Sequence, residues 1–211
     1  MPGAPLALTD RFFDAVRWAG ELHRHQSRNT TAVPYLAHLL AVCALVLEDD
    51  GDEDEAIAAL LHDAVEDAGG APVLAEIERR YGPAVAAVVE ACSDTDRTPK
   101  PPWRERKAAF LGRLADGDLP PGTLRVVAAD KLHNAWSLLA AVRAEGDRAL
   151  DHFNAGAADQ RWYHRTVAEV IARRHPGRLA DELSAVVAEL DEALGHADDD
   201  AGRRSCHTSP A

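Results

Sequence analysis

The stretch Ala56-Ile-Ala-Ala-Leu-Leu-His-Asp-Ala-Val-Glu-Asp-Ala68 decides how the chain is read. Its first half is helix interior, built from Ala, Leu and Ile with no glycine or proline. Four ionisable residues, His62, Asp63, Glu66 and Asp67, then enter the same apolar run. On one continuous helix they occupy a sector of about 140°. An unpaired buried charge costs several kcal/mol even after relaxation. Three carboxylates on one half-buried face therefore call for a cation, and the expectation is a divalent metal site.

Working outward, the neighbouring segments also read as helices. Thr9-Asp10 caps one that runs to about His25, and Pro34 opens another that ends near Leu47. The central helix is expected from about Glu53 to Asp67. Gly69-Gly70 stops it, and shorter helices follow over Val73 to Arg80 and Ala84 to Cys92. Further helices are expected over Trp103 to Leu114, Leu124 to Ala144, Ala158 to Arg174 and Arg178 to Leu194. Alternating β-branched runs are nearly absent, so no strand is expected. The fold class is all-α, a bundle of about nine to eleven helices. Residues 1–195 read as one domain, and 196–211, lacking an apolar pattern, as a disordered tail.

Composition narrows the partners. A net charge of -12 leaves no basic stripe for nucleic acid. No apolar run approaches the roughly 18 residues of a membrane span, and the first residues lack the pattern of a secretory signal. The three cysteines, Cys43, Cys92 and Cys206, are widely spaced and odd in number, which speaks against a disulfide framework and points to the cytoplasm. Cys43 and Cys92 read as buried thiols.

Two more stretches place ionisable groups in apolar surroundings. In Pro34-Tyr-Leu-Ala-His-Leu-Leu-Ala-Val42 the one such group is His38; in Val126-Val-Ala-Ala-Asp-Lys-Leu-His-Asn134, Asp130 follows four apolar residues and Asn134 lies one turn later. Two imidazoles and two carboxylates, His38, His62, Asp63 and Asp130, suit Mn²⁺, Fe²⁺ or another octahedral ion better than a structural zinc. Such an ion can produce hydroxide near neutral pH. Of Glu66 and Asp67, one could orient that water and the other protonate a leaving oxygen. Arg104, Arg106 and Lys107 read as a solvated basic face, and Trp136 as a core residue.

These residues resemble a known family. His38, His62-Asp63 and Asp130 follow the H…HD…D pattern of HD-domain metal phosphohydrolases. The words Gln26-Ser-Arg28, Pro34-Tyr-Leu-Ala-His38, Leu60-Leu-His-Asp-Ala-Val-Glu-Asp67 and Ala129-Asp-Lys-Leu-His-Asn134 resemble the hydrolase domain of RelA/SpoT-type alarmone enzymes. The resemblance implies an HD-domain bundle in which His38, His62, Asp63 and Asp130 hold Mn²⁺ and Glu66 and Asp67 form the catalytic pair. It further implies that Arg28 lies against the base, that Asn134 contacts substrate near the metal, and that the reaction removes the 3′-pyrophosphate of ppGpp or ppApp. Lys131 is a candidate for the phosphates. Leu39, Asn29, Trp136 and Ser137 depart from the family's usual residues, so the base stays open. Two other readings stand beside this one. The first is an HD-type phosphatase releasing orthophosphate from a nucleoside monophosphate or from the 2′-phosphate of NADPH. The second is a non-catalytic nucleotide-binding scaffold.

Overall fold

The computed structural model describes residues 6–28, 32–95, 99–151, 153 and 155–205. Among them are ten α-helices and one 3-10 helix, with a single isolated bridge, Ser27 to Pro34, in place of any strand. The expected all-α class therefore holds for the described residues. None of these helices is long and apolar enough to cross a membrane. The chain divides into two compact units between Asp130 and Lys131.

The first unit contains α1 (Asp10–Leu22), α2 (Leu36–Glu48), α3 (Glu53–Leu61), α4 (Ala64–Ala68), α5 (Ala71–Tyr81), α6 (Pro83–Cys92), α7 (Trp103–Asp116) and the start of α8 (Thr123–Glu145). Helix α3 is its centre, packed against α1, α2 and α6. Every residue from Ala56 to Leu61 is buried, as a helix apolar on all sides requires. The polar start of α3 stays at the surface through a reciprocal cap. Asp52 accepts from the Glu55 amide, and the Glu55 carboxylate accepts from the Asp52 amide. Glu53 accepts from the Thr9 amide at 2.5 Å, which ties α1 to the same corner.

The helix expected from Glu53 to Asp67 is not continuous. It breaks at His62-Asp63, where Asp63 takes φ -95° and ψ -5°. The two residues lie at a bend between α3 and α4, so the single-helix sector drawn from the sequence does not apply. Local propensity runs unbroken through Leu-Leu-His-Asp-Ala-Val, and the bend serves long-range contacts that such propensity does not encode. Beyond α4, Gly69 at φ 147° and Gly70 at φ 65° adopt backbone conformations that side chains disfavour, and these turn the chain into α5.

The second unit holds the rest of α8, the 3-10 turn Gly146–Leu150, α9 (Ala157–Arg174) and α10 (Arg178–Ser205). Helices α9 and α10 pack together through Val167, Ala168 and Ile171 on one side and Leu179, Leu183 and Leu190 on the other. Asp191 pairs with both Arg161 and Arg165 at their margin. The last helix, expected to end at Leu194, continues to Ser205, and the rest of the expected tail, 206–211, lies outside the described residues. Trp136, expected in the core, is 41% exposed. Cys43 is buried, with burial pushing its thiol up to about 12, whereas Cys92 is only half-buried. Cys206 lies outside the described residues.

Candidate metal centre

Three segments of the first unit converge. His38 comes from the first turn of α2, His62 and Asp63 from the bend after α3, and Asp130 from α8. His38, His62 and Asp130 are nearly inaccessible to solvent, and each offers one ligand atom within 4.8 Å of the others. His38 Nε2 lies 3.2 Å from Asp130 Oδ1 and 3.7 Å from Asp63 Oδ2. His62 Nε2 lies 3.0 Å from Asp63 Oδ2 and 3.5 Å from Asp130 Oδ1. All four residues picked out of the sequence as a ligand set are thus side by side.

The hydrogen bonds at the rim of the cluster define its chemistry. His62 Nδ1 lies 2.8 Å from the carbonyl of Ala59, so Nδ1 carries the proton and donates it. Nε2, also buried, is the ring atom that faces the carboxylates of Asp63 and Asp130. Burial opposes the charged form of His62, yet Asp63 and Asp130 together overcome it and raise the imidazole well above its ordinary value. For His38, burial prevails over Asp130 and lowers the imidazole. Burial would raise the Asp63 carboxyl, but His62 holds it well below the usual carboxylate range. The cluster sets two imidazole nitrogens 3.0–3.7 Å from the oxygens of two carboxylates. A divalent cation fits that donor set.

Further side chains orient these groups. Tyr35 donates to Asp63 Oδ2 at 2.5 Å and stacks on His23 with ring centroids 5.2 Å apart. Glu66 and Asp67, adjacent in α4, diverge. Glu66 Oε1 accepts from the Asp94 amide at 2.8 Å, while Asp67 Oδ2 accepts from Gln26 Nε2 at 2.8 Å. Gln26 Oε1 is in turn 2.7 Å from His23 Nδ1. Burial, and next the charge of Asp94, raise the Glu66 carboxyl above its ordinary value.

The expected substrate contacts are placed as follows. Arg28 sits 6.0 Å over the Tyr35 ring; its amide donates to the Val33 carbonyl, and the Tyr35 amide donates to the Gln26 carbonyl. Lys131 and Asn134 continue α8 in the second unit and are half-buried there. The basic face expected on α7 is corrected in part. Arg106 and Lys107 are not solvated but pair with Asp94, a residue the sequence did not single out. Burial would raise the Asp94 carboxyl, but Arg106 and Lys107 hold it below its ordinary value. Tyr35 and Gln26 lay within the quoted words without an assigned role, and nothing local marked Asp94.

Comparison with known proteins gives the chain a family. A family profile described as HD domain matches residues 15–152. The human guanosine-3′,5′-bis(diphosphate) 3′-pyrophosphohydrolase MESH1 is 33% identical over 131 residues, 61% of this chain and 69% of that protein. Its Xenopus tropicalis counterpart is 35% identical over 128 residues, 59% of this chain and 68% of that protein. The bifunctional (p)ppGpp synthase/hydrolase SpoT of Escherichia coli is 34% identical over 91 residues, 43% of this chain but 12% of SpoT. Two solved structures share the fold. One, described as a metazoan ortholog of SpoT that hydrolyses ppGpp, has a TM-score of 0.62 at 22% identity, covering 93% of this chain and 98% of its own. The other, lmo0812 of Listeria monocytogenes, has a TM-score of 0.64 at 26% identity, covering 74% of this chain and 99% of its own. The chain belongs to the HD-domain family and is homologous to MESH1 and SpoT.

Proposed function

We propose that this protein is a Mn²⁺-dependent cytoplasmic pyrophosphohydrolase that removes the 3′-pyrophosphate of an alarmone nucleotide, (p)ppGpp or (p)ppApp. The observation that carries the reading is the convergence of His38, His62, Asp63 and Asp130 in a chain homologous to MESH1. Those four residues would hold the ion. When bound, it would supply a Lewis acid and lower the pKa of a water. Residues 1–195 form the hydrolase domain in this reading, with 196–211 outside it.

The remaining chemistry belongs to the chain's own side chains. Hydrolysis joins the oxygen of water to phosphorus, breaks the bond between phosphorus and the ribose 3′-oxygen, and returns a proton to that oxygen. Glu66, whose carboxyl burial and Asp94 push up, suits the protonated role and delivers the proton to the leaving oxygen. Asp67, oriented by Gln26, takes the proton from the attacking water. Arg28 lies against the base, Lys131 meets the phosphates, and Asn134 contacts the substrate beside the ion.

The test is to incubate the protein with Mn²⁺ and a panel of ppGpp, ppApp, NADPH and nucleoside monophosphates and to separate the products. Release of pyrophosphate from an alarmone supports the reading. Orthophosphate from NADPH or a monophosphate would replace it with the phosphatase, and inertness towards the whole panel would point to a binding scaffold.

A further inference from the structure

Helix α7 brings three cationic side chains to two consecutive residues that follow α6. Arg113 Nη2 donates to the Ser93 carbonyl at 2.6 Å, and Lys107 Nζ donates to Asp94 Oδ2 at 2.7 Å, with Arg106 on the same oxygen. Ser93 and Asp94 are both buried. Ser93 is also tied back to α6, through its amide to the Glu90 carbonyl at 3.2 Å and its hydroxyl to the Val89 carbonyl at 3.4 Å. The Ser93 carbonyl and the Asp94 amide belong to one planar trans peptide group, so they point in opposite directions. One end of that plane takes a guanidinium, and the other donates to Glu66 Oε1 at 2.8 Å.

We propose that the Ser93–Asp94 peptide group is a positioning device for Glu66, with Arg113 and Asp94 as its positioning residues. This deepens the hydrolase reading above and rests on it. A charged donor on the carbonyl polarises the peptide and strengthens its N–H as a donor. The Asp94 carboxylate, held by two cations of α7, stops residue 94 from rotating about its backbone. Glu66 therefore meets a fixed dipole rather than a mobile loop amide. Its second oxygen faces Lys100 at 3.6 Å rather than the peptide. A purely structural role, docking α7 onto α6, would need the ion pairs but not an amide aimed at Glu66.

The test compares wild type with Arg113→Ala, Arg113→Lys, Asp94→Asn and Glu66→Ala in the full chain. Outer partners of this kind are typically worth about 10–100-fold, so Arg113→Ala and Asp94→Asn should lower kcat on ppGpp by about that factor. KM should stay within about twofold and bound metal should be unchanged, because neither residue belongs to the His38, His62, Asp63 and Asp130 cluster and both act on Glu66 through the peptide. Arg113→Lys should recover most of the rate, since an ammonium still donates to the carbonyl. A second readout does not depend on turnover. Hydrogen exchange at the Asp94 amide, followed by NMR without substrate, should quicken in Arg113→Ala, Asp94→Asn and Glu66→Ala. If Arg113→Ala does not fold, Arg113→Lys and Glu66→Ala decide by the same exchange rate. Unchanged exchange in Glu66→Ala, or a loss confined to KM, or a loss that Arg113→Lys does not relieve, overturns the proposal. Absence of pyrophosphate release by wild type would sink the hydrolase reading instead, while the exchange rates still decide whether the peptide is pinned to Glu66.

Discussion

The hydroxyl of Tyr35 donates to Oδ2 of Asp63 at 2.5 Å, joining the residue that opens α2 to the bend between α3 and α4. That bond fixes one oxygen of Asp63 beside His38 and His62. The Tyr35 hydroxyl is held firmly protonated by burial and by the neighbouring Asp63 charge, so it remains a donor across the working pH range. Tyr35→Phe keeps the ring packing against His23 and removes only the hydrogen bond. Metal affinity should fall by about 10–100-fold while the protein stays folded. Titration of Mn²⁺ by calorimetry, with circular dichroism as the check on folding, measures both.

Asp130 supplies the carboxylate that approaches both imidazoles. Asp130→Ala should abolish metal retention and turnover together. Elemental analysis of the purified variant reads the first, and pyrophosphate release reads the second. Removing the ion from wild type with a chelator should likewise stop turnover, and added Mn²⁺ should restore it. Full activity without a divalent ion would refute the metal centre.

Glu66 and Asp67 diverge towards Asp94 and Gln26, so they are separable by mutation. Glu66→Gln and Asp67→Asn should each keep the metal and lower kcat by about 10²–10⁴-fold. The raised Glu66 carboxyl adds a pH signature. An acid that must carry its proton loses activity as pH rises through its pKa, so the alkaline fall in kcat should be absent from the residual activity of Glu66→Gln. Wild-type rates in either variant would show that the pair is not catalytic.

Asp94 provides a stability prediction with a definite sign. Its folded-state carboxyl is held below its ordinary value, with burial outweighed by Arg106 and Lys107. A group depressed on folding stabilises the protein above its unfolded pKa and loses that contribution as pH falls through the folded value. The advantage of wild type over Asp94→Asn should therefore be present at neutral pH and fade below about pH 4, near the unfolded carboxylate pKa. Urea midpoints of the two proteins between acidic and neutral pH test this. A difference that does not change with pH would rule out the ion cluster as its source.

Much of the fold was legible in the sequence because helix periodicity and the Gly69-Gly70 stop are local signals, although Pro34, expected in the first turn of α2, lies before its cap. The four clustered residues were legible for a different reason. An imidazole or a carboxylate inside an apolar run is costly, so His38, His62, Asp63 and Asp130 stood out before any geometry was known. The break at His62-Asp63 was not legible, because neither glycine nor proline stands there and the weak helix propensity of His and Asp alone does not end a helix.

By itself, then, the sequence determined that the chain is all-helical, roughly where most helices lie, and which ionisable groups sit in apolar surroundings. Only the tertiary structure decided that Glu66 answers to Asp94, 28 residues away, and Asp67 to Gln26, 41 residues away. It likewise turned Arg106 and Lys107 from a solvated face into partners of Asp94. The physical reason is range. Propensity and burial cost act along the chain and mark residues one at a time, whereas a hydrogen bond is chosen by which groups the packed helices bring within about 3 Å.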